Sequence, residues 1–360
     1  METLDGLKRL IKDPITSNPH TPTVLDKRKL QMADIAALAG VSTATVSRAL
    51  NGSPLIRLDT RQRILELVQA HQYTVHAGAK NLRRGDNRTL GVVIPYLPDR
   101  RQQVTDPFFL AMLGNLADVL TDQHYDLLLS RVDADHLDQC AALFDSGRVA
   151  GMVVIGQWGH HEQLNALAQR QVPLVVWGAQ LPDQAYCSVG SDNQSGGFLA
   201  TEHLLAGGRK RVAFMGDHHT TEVHLRYQGY LDAHRRRGLM PDPSLYIPSP
   251  FTPLEAQQAM HNFCDQGQPL DALVAASDLI AISAMGVLNA RGITVPQQVA
   301  VVGYDDIDAA LHSFPPLSSV RQPLQMAAQT LLECLQALLK GEQPASRQLP
   351  TTLVPRQSST

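Results

Sequence analysis

Two hydrophobic rhythms divide this chain. Between residues 32 and 71 apolar residues recur at helical spacing in short segments, whereas from residue 90 compact apolar runs alternate with longer amphipathic ones. In the first region, MADIAALAGVSTATVSRAL (32–50) sets Ile35 and Leu38 with Ala33, Ala36, Ala37 and Ala39 on one helix. Gly40 follows where a helix must stop and reverse, and Ser42 is a good N-cap for a second helix, because its hydroxyl accepts an orphan backbone N–H. Val46 and Leu50 then lie one turn apart on a buried face, leaving Thr43, Ala44, Ser47, Arg48 and Asn51 outside. This pattern predicts a helix-turn-helix whose second helix enters a DNA major groove. A small helical hairpin in a core would share the helix–Gly–helix order. The small, polar exposed set and the basic flanks favour the DNA reading. A third helix is expected from Asp59, its cap, to about His71, with Ile64, Leu65 and Val68 inward and Arg57, Arg61 and Arg63 outward.

In the second region the strand-like runs are 90–96, 125–132, 151–156, 173–178, 211–216, 272–277 and 299–306. Helical segments are expected at about 108–122, 136–146, 161–170, 194–206, 223–237, 254–265, 278–291 and 322–340. Wholly apolar strands alternating with amphipathic helices imply parallel sheets covered on both faces. There are too many repeats for one nucleotide-binding half, and two doubly wound subdomains accommodate them. Ligands of such sheets bind beyond the carboxyl ends of the strands. Those ends carry Gly156–Gly159, Gly216-Asp217, Ser277-Asp278 and Tyr304-Asp305-Asp306.

Charge sharpens this division. The net formal charge of -3 hides a residue 27–88 segment at +7 and a residue 89–360 segment at -9. A basic head on an acidic body fits a nucleic-acid contact confined to the head. The four cysteines, Cys140, Cys187, Cys264 and Cys334, form no C-x-x-C pair, so reduced thiols in a cytoplasm are expected rather than a zinc site or a disulfide framework. His160-His161 and His218-His219 are expected in exposed loops, since no partner has metal-ligand spacing. No apolar run spans a bilayer and no export signal precedes the head, so a cytoplasmic protein with no membrane partner is expected.

These boundaries give a proline-containing leader at 1–28 read as disordered, a head at 29–74, a hinge at 75–88 and a body at 89–360. Lys27-Arg28-Lys29 is either a phosphate-touching arm or a solvated cluster. In the hinge, Gly78 makes a helix marginal by about 1 kcal/mol. Leu82, apolar among charges, either packs on the head or wedges into a base step.

The ordered set of motifs resembles the lactose repressor/galactose repressor family. DIAALAGVSTATVSRALN (34–51) is similar to its helix-turn-helix and Tyr73 to Leu82 to its hinge helix. RYQGY (226–230), ASDLIAISAM (276–285), VAVVGYDDID (299–308), PPLSSVRQP (315–323) and LVPR (353–356) resemble its ligand-binding body. The resemblance implies a periplasmic-binding-protein-like body, a homodimer on pseudo-palindromic operator DNA, a repressor function and a small effector, commonly a sugar. It implies no cofactor and no catalytic residues. Carried over, Thr43, Ala44 and Arg48 occupy base-reading positions; Ser42, Thr45, Ser47 and Asn51 suit phosphates; Leu82 stands at the minor-groove leucine. Arg226 and Asp305 match effector-binding positions. Phe108, Trp158 and Phe251 offer faces for stacking, and Ser277 and Gln322 offer hydrogen bonds. Asp278 is either a ligand group or an N-cap. Of Phe108 and Phe109, one is expected to face the cleft and the other the core. The chain departs from the family at Val75-His76, where Pro-Asn is common, and at Gly159-His160, where some relatives place an acid.

Two other classes fit the sequence less well. A solute-binding protein for transport would use the same body but needs export and no basic head. An enzyme would need a G-x-S-x-G, a phosphate-binding glycine loop or paired histidines, which the sequence does not display. With no leucine heptads after LVPRQSST, a dimer is expected over a tail-mediated tetramer.

Overall fold

The computed structural model describes residues 31–50, 53–71, 87–98 and 103–360. Asn51, Leu82, the leader at 1–28 and residues 75–86 of the expected hinge lie outside them. The chain forms two units, which divide near residue 80.

The head holds α1 (Met32–Ala39), α2 (Thr43–Leu50) and α3 (Leu58–Ala70). Gly40 makes the reversal at φ 64, the left-handed region that costs glycine nothing. The Ser42 hydroxyl then accepts the Thr45 N–H at 3.2 Å, starting α2. Ile35, Ala36, Ala39, Val46, Ala49 and Ile64 form the buried core. Two details differ from the pattern. Leu65 is 43 % exposed, and Leu67 packs in its place beside Val68. The helix also begins one residue early, with Arg57 at the cap position, so Asp59 sits inside the first turn and accepts the Thr60 N–H. Arg63 reaches back to the Ala39 carbonyl at 2.8 Å, tying α3 to the end of α1.

The body contains two six-stranded sheets. The first uses β1 (Thr89–Tyr96), β2 (Asp126–Asp133), β3 (Gly151–Ile155), β4 (Leu174–Trp177), β5 (Cys187–Ser191) and β11 (Arg347–Leu349), in the order β11-β5-β4-β3-β1-β2. The second uses β6 (Val212–Met215), β7 (Tyr246–Ile247), β8 (Ala272–Ala275), β9 (Ala300–Asp305), β10 (Ser318–Arg321) and β12 (Thr352–Val354), in the order β12-β10-β9-β8-β6-β7. All pairs are parallel except β10 with β12. Runs such as GMVVI and ALVA are buried throughout because helices cover both faces.

The first lobe carries α4 (Pro107–Asp122), a 3-10 helix (Ala134–Cys140), α5 (Ala141–Asp145) and α6 (His161–Gln169). The single helix expected at 136–146 is thus a 3-10 helix, kinked within at His136 (φ -129), that runs into a short α-helix from Ala141. The second lobe carries α7 (Asn193–Ala206), α8 (Thr221–Arg236), α9 (Pro253–Asp265), α10 (Asp278–Ala290) and α11 (Asp308–His312). The chain crosses between lobes three times: after β5 into α7, after β10 into α12 (Leu324–Leu339), and from β11 to β12. Between the last two crossings α12 returns to the first lobe's core, burying Ala327, Ala328, Leu331, Leu332 and Leu335. No helix of the described residues is long and apolar enough to cross a membrane.

The tightest packing in the body is between α7 and α8. A Cβ at Gly197 would lie 2.0 Å from the Arg226 carbonyl oxygen, and one at Gly229 would lie 2.0 Å from that of Gln194. Backbone therefore meets backbone, and no side chain can give way. Gly197→Ala or Gly229→Ala is expected to cost about 1–3 kcal/mol, the usual range for overpacking. Urea unfolding of each variant measures this; an unchanged midpoint would show that the helices separate freely.

Candidate functional site

Between the two lobes lies a cavity of about 140 Å³. At about 30 Å³ per water in the liquid, that is room for roughly five waters, the scale of a small ligand. The first lobe contributes Asp106, Phe108, Phe109, Ile155, Gly156, Trp158 and Trp177; the second contributes Asp217, Thr220, Thr221, Glu222, Val223, Arg226, Pro250, Phe251, Thr252, Ser277 and Asp305. Gln322, in a crossing segment, completes the lining.

Each polar group is held by its element. Arg226 projects from α8 and is nearly buried; its Nε donates to Asn193 Oδ1 at 2.8 Å and a terminal nitrogen donates to the Ala276 carbonyl. The guanidinium lies over the Tyr304 ring, 3.7 Å from its centroid, a cation–π contact that orients the group. Asp305 ends β9 at φ 110, a left-handed conformation rare outside glycine, and accepts the Gln322 side-chain amide at 2.7 Å. Burial pushes the Asp305 carboxyl up to about 7, and the Asp106 charge adds to this; Arg226 and the Gln322 bond oppose it. Burial also raises Glu222, against the pull of Arg226. Asp106 caps α4, accepting the Phe108 N–H at 3.0 Å. Trp158 stands at φ 53, with its indole N–H on the Ile155 carbonyl at 3.2 Å.

Of the residues proposed from sequence for the effector, Phe108, Trp158, Arg226, Phe251, Ser277, Asp305 and Gln322 come together here. Asp278 does not, and it is not the cap either. Ser277 caps α10 through the Ile280 N–H at 3.2 Å. The Asp278 carboxylate is fully buried behind the cavity, accepting the Ser319 hydroxyl and the Ile307 N–H. Burial and the neighbouring Asp305 hold it well above the ordinary carboxylate range. Phe108 and Phe109 both line the cavity, although Phe109 also packs in the core. Of the two histidine pairs only His219 is exposed; His160, His161 and His218 are half-buried. His218 stacks on Tyr246 with centroids 4.4 Å apart, and His161 meets the Tyr186 hydroxyl at 3.0 Å. Sequence reasoning missed Trp177, Asp106 and Glu222, and marked Asp217 only as a strand end. Glu222 had a signal, since it sits one helical turn before Arg226 on α8.

On α2, Ser42, Thr43, Ala44 and Arg48 are exposed, while Thr45 and Ser47 are half-buried. Ser42 and Thr45 hydroxyls bond each other at 2.9 Å, leaving Thr43, Ala44 and Arg48 as the open N-terminal and outer face.

The raised Asp305 carboxyl has a stability consequence. Its folded-state value of about 7 exceeds the ordinary 3.8, so the folded chain holds this proton longer than the unfolded one. Its contribution is full below about pH 4 and is lost as pH rises through about 7. Asp305→Asn should therefore shrink the fall in Tm between about pH 5 and about pH 8, with Glu222 and Asp278 leaving a residual slope in the same direction. Scanning calorimetry across that range checks it; an unaltered slope would place the titration elsewhere.

Residues 31–75 match the profile of bacterial regulatory proteins, lacI family, and residues 201–359 match that of a periplasmic binding protein-like domain. The HTH-type transcriptional regulator CelR of Thermobifida fusca is 30% identical over 339 residues, covering 92% of this chain and 99% of that protein. A solved transcriptional regulator CelR–cellobiose complex superposes with a TM-score of 0.68 at 28% identity, over 91% of this chain and 99% of that one. The lac repressor dimer bound to operator shares the fold, with a TM-score of 0.79 at 21% identity over 92% of this chain and 99% of that one. With its helix-turn-helix head and two-lobed body, the chain belongs to the lacI family of bacterial regulatory proteins and is a DNA-binding transcriptional regulator.

Proposed function

We propose that this regulator is a repressor whose operator affinity is set by a small sugar or sugar derivative in the interlobe cavity. The observation that carries this is one cavity combining aromatic rings from both lobes with a buried guanidinium and carboxyl groups. A sugar presents apolar C–H faces to rings and hydroxyls to charged, geometrically fixed partners. The cellobiose complex of a relative supports the same class of occupant. In this reading Phe108, Trp158 and Phe251 stack on the sugar, and Ser277, Arg226, Asp305 and Gln322 hydrogen-bond it. Asp278 acts from behind as a fixed acceptor for Ser319 and Ile307. The sugar leaves unchanged, without turnover.

The output is a head at 29–74 joined through a hinge at 75–88 to a body at 89–360. Two chains pair as a cytoplasmic homodimer on a pseudo-palindromic operator, as the two-fold symmetry of such sites requires. Arg48 reads guanine through O6 and N7, while Thr43 and Ala44 contact base edges by shape and methyl packing. Ser42, Thr45, Ser47 and Asn51 hold phosphates, and Leu82 wedges the minor groove.

Arg48→Ala should relax specificity at one symmetric base pair in each half-site, by about 1–3 kcal/mol of discrimination. Selection from a random duplex library measures this; a uniform loss over all sequences would make Arg48 a phosphate contact instead. Binding should also weaken about 10³-fold or more between about 50 and about 200 mM salt, because each neutralised phosphate releases counterions. A sugar that binds only the folded body should raise its Tm, and chromatography should return that sugar intact. If no sugar raises the Tm, the effector is of another class.

A further inference from the structure

The two walls of the cavity differ in chemistry, and the difference narrows its occupant, given the reading that the occupant is a sugar. The first lobe brings Phe108, Phe109, Ile155, Trp158 and Trp177. The polar side chain beside them, among the described residues, is Asp106, one oxygen of which accepts the Phe108 N–H. Trp158 offers only its ring, because its indole N–H is donated to the Ile155 carbonyl. The ring packs against Gly156, where a Cβ would stand 2.5 Å from Nε1. Gly156 at φ 92 and Trp158 at φ 53 both hold the left-handed backbone that this arrangement needs, a conformation costly for tryptophan. The second lobe brings the Arg226 guanidinium, the Glu222 and Asp305 carboxyls and the hydroxyls of Thr220, Thr252 and Ser277. Partners for sugar hydroxyls are thus gathered on the second-lobe side.

Stacking on an aromatic ring occupies one C–H face of a sugar. Five apolar side chains on one wall extend past a single face and meet the edge of the sugar ring too, where a fully hydroxylated sugar carries O–H groups. At about 140 Å³ the cavity is close to the roughly 150 Å³ that holds one benzene ring, so a single sugar ring fills it and leaves no water to bridge a hydroxyl to the wall. A hydroxyl turned to the first lobe would lose its water without gaining a partner, whereas a C–H or methyl group there gains burial. We infer that the effector is a deoxy sugar, a single ring whose hydroxyls face the second lobe and whose hydroxyl-free edge faces the first, with Trp158 setting that orientation.

The test uses the full chain and matched pairs that differ by one oxygen: glucose with 6-deoxyglucose, galactose with 6-deoxygalactose, mannose with 6-deoxymannose, ribose with 2-deoxyribose. Thermal shift finds the pairs that bind, and titration calorimetry measures them. In at least one pair the deoxy member should bind about 10–100-fold more tightly, the discrimination an apolar wall makes against one added hydroxyl. Trp158→Asn gives the wall an amide at a position whose left-handed backbone asparagine tolerates, and should narrow that ratio several-fold. Phe108→Tyr, which adds one hydroxyl to the same wall, should narrow it too and keeps the test decisive if Trp158→Asn fails to fold. Hydroxylated members that bind as tightly as their deoxy partners in every pair would overturn the inference while leaving the sugar reading intact. A ratio unchanged in both variants would overturn the orientation assigned to the first-lobe wall. If no sugar of either kind binds, the sugar reading falls and this inference with it.

Discussion

The body depends on how closely two helix backbones approach. At Gly197 and Gly229, α7 and α8 touch without intervening side chains, and the carbonyl that Gly197 faces is that of Arg226. The crossing therefore fixes the main chain from which the Arg226 guanidinium projects into the cavity. Gly196, the next residue along, leaves room for the Tyr304 hydroxyl, which a Cβ there would approach to 2.5 Å. The Tyr304 ring in turn lies under the guanidinium, 3.7 Å from its carbon to the ring centroid. Asn193, at the start of α7, accepts its Nε. One stretch, Asn193–Gly197, thus seats the cation, its ring and its acceptor. Small residues here serve position, not flexibility.

A second set of contacts ties the cavity to the segments that join the lobes. Gln322 lies in the crossing after β10 and donates to Asp305 in the cavity. Asp306, next in sequence and held at φ 56, pairs with Arg321 at the end of β10 and with Arg356, each at 2.6 Å. A non-glycine pair held at positive φ persists only where its surroundings fix it, and these bonds do so. A ligand that engages Asp305 competes for or strengthens the Gln322 bond, so occupancy and lobe geometry share partners. A ligand shifts such an equilibrium only by its differential affinity for the two arrangements, typically about 1–3 kcal/mol.

Much of this was legible from the chain alone, and the omissions have physical causes. The long apolar strands and the amphipathic helices appeared at nearly their final bounds, because burial on both faces leaves an unbroken apolar run. The strands that were missed, β5, β7, β10, β11 and β12, are short or polar. In β10 the buried Ser318 and Ser319 hide the strand, since their hydroxyls find partners in the Arg356 carbonyl and the Asp278 carboxylate. Asp278 was misread for a related reason. An acid at a strand end points toward a ligand in this architecture, but Gly303 leaves space for its carboxylate inside, only 2.2 Å from where a Cβ would stand. Glu222 was passed over because an acid in a first helical turn looks like dipole complementation on a solvated face. Its partner one turn on, Arg226, was the clue. The helix-turn-helix was fully patterned in sequence, since cap, reversal and buried face are all local.

The central claim is that the cavity around Arg226 is the input of the DNA-binding switch. It is tested most directly by measuring one coupling in both directions on the full chain. Operator affinity is titrated by anisotropy with and without a bound sugar, and sugar affinity by calorimetry with and without operator. The account predicts equal factors from the two titrations, of about 5–150-fold, and a factor of one in Arg226→Gln at undiminished operator affinity. A sugar that still shifts operator affinity in Arg226→Gln, or one that binds the wild-type cavity with no effect on operator, would contradict it.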